Sequence, residues 1–279
     1  MTTTPNYGRQ YRPEYYFEGE DLRIAKAIYN GENYQLNNLT KDQINRISFK
    51  GMSLFLYTIY VDNEEAMNLL LKKGGDANMF TKVKSFSSES WLEQTPLSFA
   101  SQRPKISYIK TLLSYQANIN DNRTTPALLC AVGKRNRELV DYLLNNGANI
   151  NIQENITKSN ALLEAADILD YDMVNHLLDR GANPMQRNVT GDCLAWTVQY
   201  DIKKGRGTDE FKKTLQDLKK RLEGMGVVFP VEKIPPKEDD TSYQQPVSSP
   251  QSTKTPPPVQ SQNPNKKRWS IFFDDDETV

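Results

Sequence analysis

The chain has 279 residues, of which 37% are apolar, and its mean hydropathy of −0.69 is low for one compact globule, so part of it is expected to be unfolded or elongated. Lysine plus arginine and aspartate plus glutamate both number 35, which removes any global electrostatic case for nucleic acid or an anionic membrane as partner. No window approaches the roughly 18 consecutive apolar residues of a membrane span, and the N-terminal MTTTPNYGRQYRPEYYFEGE has no apolar run, so the expected location is cytoplasmic.

In chain order, residues 1–19 read as an N-terminal arm. EDLRIAKAIYNGENYQLNNLT, from residue 20, reads as a helix, a GEN turn and a second helix. A recurring pattern then begins. NLLLKKGGDAN ends at Asn78, TLLSYQANIN at Asn120, YLLNNGANIN at Asn151 and HLLDRGANPM at Met185. The leading leucines Leu70, Leu112, Leu143 and Leu177 are separated by 42, 31 and 34 residues, a period near 33 with one insertion. Upstream of each lies a second piece, SLFLYTIY at 53, TPLSFASQ at 95, TPALLCAV at 125 and NALLEAAD at 160, starting 17 or 18 residues before the leucine. Each unit therefore reads as two short helices.

The residues say why. Thr125 and Pro126 are expected to cap and open a first helix, since threonine accepts from unpaired N–H groups and proline lacks the donor the first turn cannot use. Ala100, Ala131, Ala165 and Ala166 keep that helix thin where neighbours approach. Val140, Leu143 and Leu144 form one apolar face on the second helix, and Gly147 and Gly181 stop it where a left-handed residue costs least. One such pair cannot cover its own apolar faces, so the units must stack.

T-P-L…A at 95–100 and LLxxGAxxN in the later units resemble the ankyrin repeat family, over roughly residues 20–228. The chain departs from the family pattern in several places. Ser53 stands for threonine with no proline after it, Gln116 takes a glycine position, and Ser98, Leu128 and Leu163 replace a histidine that commonly stabilises the turn. These units are expected to be less regular and less stable than consensus repeats. The chain closes with GDCLAWTVQYDIKKGRGTDEFKKTLQDLKKRLEGMGVVF, read as a helix through Trp196, a long KKGRGTDE connection and a polar capping helix ending near Gly224. The expected fold is an all-α ankyrin-repeat solenoid of about six helix pairs including caps, over residues 20–230. Residues 231–279 hold eight of the 15 prolines and are expected to form a disordered Pro-rich tail, ending in KKRWSIFFDDDETV.

Catalytic signals are weak. Cys130 and Cys193, 63 residues apart and outside any metal-binding pattern, read as small buried side chains in a reducing compartment. The single histidine, His176, is expected to face outward on a second helix, with no nucleophile beside it. GKRN at 133 and KKGRGT at 203 match no phosphate-binding loop, and Asp239, Asp240 and the acids from Asp274 to Glu277 lack the Gly-punctuated calcium pattern. No enzyme, no cofactor and no metal site are expected.

What remains is surface for binding another protein, with no nucleic acid and no membrane, by a monomer or in a one-to-one complex. The insertion MFTKVKSFSSESWLEQ, residues 79–94, is expected to form an extended finger carrying Phe80, Phe86 and Trp91, with Trp91 either contacting a partner or folding back as local core. Turn residues Asp121, Arg123, Glu154, Asn155 and Arg187 join it. The family resemblance implies a concave face lined on the first helices by Tyr60, Gln102, Arg103, Val132, Asp167 and Ile168. It extends to ankyrin proteins of bacteria, some of which are immunity proteins that neutralise a toxin encoded beside them. The alternative is a translocated effector or scaffold, recruiting a target with the repeats and docking through RWSIFF or the terminal Glu277-Thr278-Val279.

Overall fold

The computed structural model describes residues 11–85, 90–205 and 207–234. A one-turn helix α1 (Pro13–Tyr16) leads into α2 (Gly19–Asn30), a 3-10 turn over Asn33–Leu36 and a short α3 (Lys41–Asn45). Four helix pairs follow: α4 (Leu54–Tyr60) with α5 (Glu64–Lys72), α6 (Pro96–Ala100) with α7 (Ile106–Ser114), α8 (Ala127–Gly133) with α9 (Arg137–Asn145), and α10 (Ala161–Asp167) with α11 (Tyr171–Asp179). The pair α12 (Leu194–Lys204) and α13 (Asp209–Gly224) ends the described array. The helices α2, α4, α6, α8, α10 and α12 pack each on the next, giving six layers.

Local chemistry sets the helix starts. Ser53, Thr95 and Asn160 accept side-chain bonds from the N–H groups of Leu56, Ser98 and Leu163 at first helices. Asn63, Asn136 and Asp170 do the same at second helices. Thr125 does not meet expectation: Pro126 takes the cap position of α8, and no side chain caps that helix. Helix stops follow the glycine pattern, with Gly147 at φ 93° and Gly181 at φ 88°, and Gln116 adopts the same left-handed region at φ 62°. Leu70, Leu112, Leu143 and Leu177 are fully buried, as are Ala100, Ala131, Ala165 and Ala195 where the layers meet. Each buried leucine contributes about 2 kcal/mol.

Between layers the turns are joined by a ladder of asparagine side chains. Asn45 donates to the Gly74 carbonyl (2.9 Å) and accepts from the Asp76 N–H (2.8 Å). Asn78 spans the next gap, to the Gln116 carbonyl (2.9 Å) and the Asn118 N–H (2.7 Å). Asn120 spans the third, to the Gly147 carbonyl (3.1 Å) and the Asn149 N–H (2.7 Å). Asn151 then accepts from the Asn183 N–H (2.9 Å). One amide thus satisfies a helix-end carbonyl and a turn N–H in the following unit, groups that otherwise need water.

Other expectations are corrected. The second helix of the N-terminal unit is only the 3-10 turn, because NYQLNN offers few apolar residues to hold a longer one; α3 follows separately, with a Thr40–Gln43 capping box. The helix at Trp196 continues to Lys204, stopped by Gly205 at φ 61°. The insertion at 79–94 is a β-hairpin, β1 (Thr81–Lys84) antiparallel to β2 (Trp91–Gln94), with Thr81 opposite Gln94 and Lys84 opposite Trp91. It docks on the loop before α4: the Lys84 N–H donates to the Lys50 carbonyl (2.8 Å), and a Cβ at Gly51 would lie 1.7 Å from the Lys82 carbonyl oxygen. Only glycine permits that approach. The tail beyond Ile234 lies outside the described residues.

Two substitutions test this account. Asn120→Ala strips partners from the Gly147 carbonyl and Asn149 N–H and is expected to lower stability by about 1–2 kcal/mol. Gln116→Gly relieves a left-handed glutamine and is expected to raise it by about 0.5–1 kcal/mol. Urea unfolding midpoints of both variants check the two signs.

Candidate protein-binding face

The proximal part of the face built by the first helices is already occupied. Tyr57 on α4 donates through Oη to the Tyr11 carbonyl (2.6 Å), and Tyr16 donates to Tyr60 Oη (3.1 Å). The Tyr16 ring meets Tyr60 edge-on at 5.4 Å, and Phe17 meets Tyr57 edge-on at 5.2 Å. Arg103, after α6, lies over the rings of Tyr11, Tyr60 and Phe99 at 5.5–5.9 Å and donates to the Tyr60 carbonyl at 2.5 Å. Tyr60 is 1% exposed, and desolvation pushes its hydroxyl up to about 12. Val132 is fully buried in α8. Of the positions the family resemblance turned toward a partner, Tyr60 and Val132 are therefore internal, and Arg103 is half-buried against the aromatic rings. The N-terminal aromatics take the place a ligand would hold.

The hairpin and the turn tips beyond it are open. Trp91 is 53% exposed on the outer side of β2 and Phe80 is 37% exposed just before β1; Phe86 lies outside the described residues. Arg123 joins two other expected residues, lying 5.6 Å from the Phe80 ring centre while forking onto both Asp121 oxygens at 2.5–3.1 Å. Partial burial opposes ionisation of Asp121, but the Arg123 hydrogen bonds outweigh it and hold its pKa below the usual carboxylate value. Gln102 faces Gln94, both Gln102 contacts being long at 3.4 Å. Beside β2 lies a cleft of about 270 Å³ whose walls include Trp91, Glu93, Thr124 and Ile156.

The turn after Asn151 divides. Glu154 is not an open turn residue: it is 3% exposed and accepts from the Thr157 N–H (2.7 Å) and hydroxyl (2.5 Å), holding its own loop. Asn155 beside it is exposed. Arg187 is half-buried and donates to the Gly191 carbonyl at 2.7 Å.

The distal layers carry charge and aromatics together. Asp167, at the end of α10, is exposed, yet desolvation by its surroundings and the nearby carboxylates of Asp192 and Asp201 raise its pKa above the ordinary value. Trp196 and Tyr200 stack at 5.0 Å on α12, with Tyr200 42% exposed and Lys233 4.6 Å over Trp196. The sequence reading missed this pair because it ended the helix at Trp196; the i, i+4 spacing was the available signal.

His176 is buried, contrary to the outward position expected. Its Nδ1 lies 2.9 Å from the Arg137 guanidinium and its Nε2 2.7 Å from Asp141, which Arg180 also reaches at 2.7 Å. A neutral ring that accepts from Arg137 and donates to Asp141 satisfies both contacts and ties α9 to α11. Cys130 and Cys193 are buried thiols. Among the described residues no group of three or more His, Cys, Asp or Glu is arranged to hold a metal ion, and no helix is long and apolar enough to cross a membrane.

The comparisons agree with this geometry. The family model described as ankyrin repeats matches in three copies, over residues 54–154 and 109–188. Residues 54–188 carry ankyrin repeats, a protein–protein interaction module. Among curated proteins no match is found.

The raised pKa of Asp167 has a signed consequence. An acid whose folded-state pKa exceeds its unfolded value opposes folding once ionised, so the cost is absent well below the ordinary carboxylate pKa and grows as pH rises through the folded value. Asp167→Asn is therefore expected to stabilise the protein at about pH 7 and to lose that gain near pH 3. Thermal unfolding of both proteins across that range checks it.

Proposed function

We propose that the chain acts by stoichiometric capture of one other protein, held between the outer side of the hairpin and the open first-helix face of the distal layers. The observation that carries this is the position of Trp91. It stands exposed on an inserted hairpin held against the loop before α4, while the proximal face is filled by the chain's own residues 11–17. Exposed tryptophan on a braced strand is a strong binding anchor, since it has little side-chain freedom to lose. Asp167 supports the distal half of the reading, because a carboxylate kept at a cost to folding is satisfied by a cation from a partner. Phe80, Asp121, Arg123, Asn155 and Arg187 border the same turn tips, with Gln102 on the cleft beside β2. Glu154 and Arg103 serve the fold and are left out of the contact surface.

The biological output we propose is immunity: neutralisation of a toxic protein encoded next to this chain in a bacterial genome. Expressing the neighbouring reading frame alone is expected to arrest growth, and co-expression of this chain to restore it. Trp91→Ala is expected to weaken the purified complex at least about tenfold, at unchanged thermal stability. A harmless neighbour removes the immunity reading; an unaltered affinity of both Trp91→Ala and Asp167→Ala removes the surface.

A further inference from the structure

The hairpin leaves one backbone edge unused. The Lys84 N–H points out of the hairpin to Lys50, whereas the Ser85 N–H points inward to the Ser90 carbonyl. The alternation of an antiparallel pair then places Thr81, Val83, Leu92 and Gln94 in the hydrogen-bonded positions and turns Trp91 and Glu93 outward. The Glu93 carbonyl accepts from the Thr124 hydroxyl at 2.7 Å, which confirms the direction. The Trp91 N–H and carbonyl and the Glu93 N–H have no partner among the described residues. This edge opens into the cleft that Ile156 bounds, itself 51% exposed. An unpaired strand edge is a template for a further strand, and Ile156 gives this one an exposed apolar neighbour in a cleft of otherwise mixed lining.

We propose that Arg268–Phe273 of the same chain, RWSIFF, adds to this edge as a third, antiparallel strand. The segment is built for it: the last proline is Pro264, and Trp, Ile and Phe are the residue types that sheets favour. In an extended strand Trp269, Ile271 and Phe273 share one side, toward Ile156, while Phe272 lies beside Trp91. Charge selects the antiparallel direction, which sets Lys266, Lys267 and Arg268 by Glu93 and the acids Asp274 to Glu277 by the Lys84 end of the hairpin. The tether is long enough. The 33 residues between Ile234 and Arg268 have a coil dimension of about 30 Å and an extended reach of about 110 Å, against about 40 Å for four helix layers. Tethering supplies a local concentration in the millimolar range, so three backbone bonds and one apolar side suffice.

The test is amide hydrogen exchange by NMR on the full chain, read at Trp91 and Glu93 and compared with the full-length variant I271P/F272P. The expected result is at least about tenfold slower exchange of both amides in the unmodified chain, independent of protein concentration, with exchange in α8 and α10 equal in the two proteins. Equal rates at Trp91 and Glu93 overturn the proposal. Protection that disappears on dilution also overturns it, assigning the strand to a second copy of the chain. Neither result depends on any captured partner, so this inference and the immunity reading fail separately.

Discussion

The constraint on which the structure depends is the pairing of helix ends across layers by asparagine. A short helix leaves four carbonyls and four N–H groups unpaired at its ends, and four central pairs of helices of five to nine residues multiply that cost. Side-chain caps settle the starts. At the stops the solution is intermolecular in form though the chain is one molecule: each layer's asparagine finishes the turn of the next. Leucine burial supplies the stabilising energy, but the amide ladder fixes the register at which the layers meet.

This explains which parts of the fold were legible in the sequence. Leu143 with Gly147, and Leu177 with Gly181, announce helix and stop because local spacing and backbone conformation decide both. Gln116 shows that the position, rather than glycine itself, defines the stop. What was hidden depends on residues distant in sequence. Asn78 has a partner 40 residues away at Asn118, so its role cannot be seen in its own unit. Tyr11, Tyr16 and Phe17 look like an arm until Tyr57 and Tyr60 are placed beneath them. The TKVK alternation of the hairpin was present in the sequence but is only four residues long, while its docking depends on Gly51, some 30 residues earlier.

The candidate site was legible in part for the same reason. Trp91 and Asp167 drew attention in the sequence because an aromatic in an insertion and an acid at a first-helix end are unusual where they stand, and both are exposed. Arg103 and Glu154 misled because side-chain type alone cannot tell an exposed charge from one folded onto its own neighbourhood. The outcome is an asymmetric surface: aromatic and closed over the first layers, mixed in charge and open over the last, with the hairpin between them. An array of equivalent repeats has no such polarity; here the breaks in the repeat create it.

The ladder also has a last rung among the described residues. In the fourth copy of the motif the second asparagine is Met185, a side chain with no amide, so no turn beyond it can be received in the same way. The layer that follows is instead held by α13, with Arg221 reaching back to Asn175 at 2.9 Å and Asp179 at 2.5 Å. Among the described residues the ladder is thus a ruler whose last mark is the residue that cannot pass the bond along.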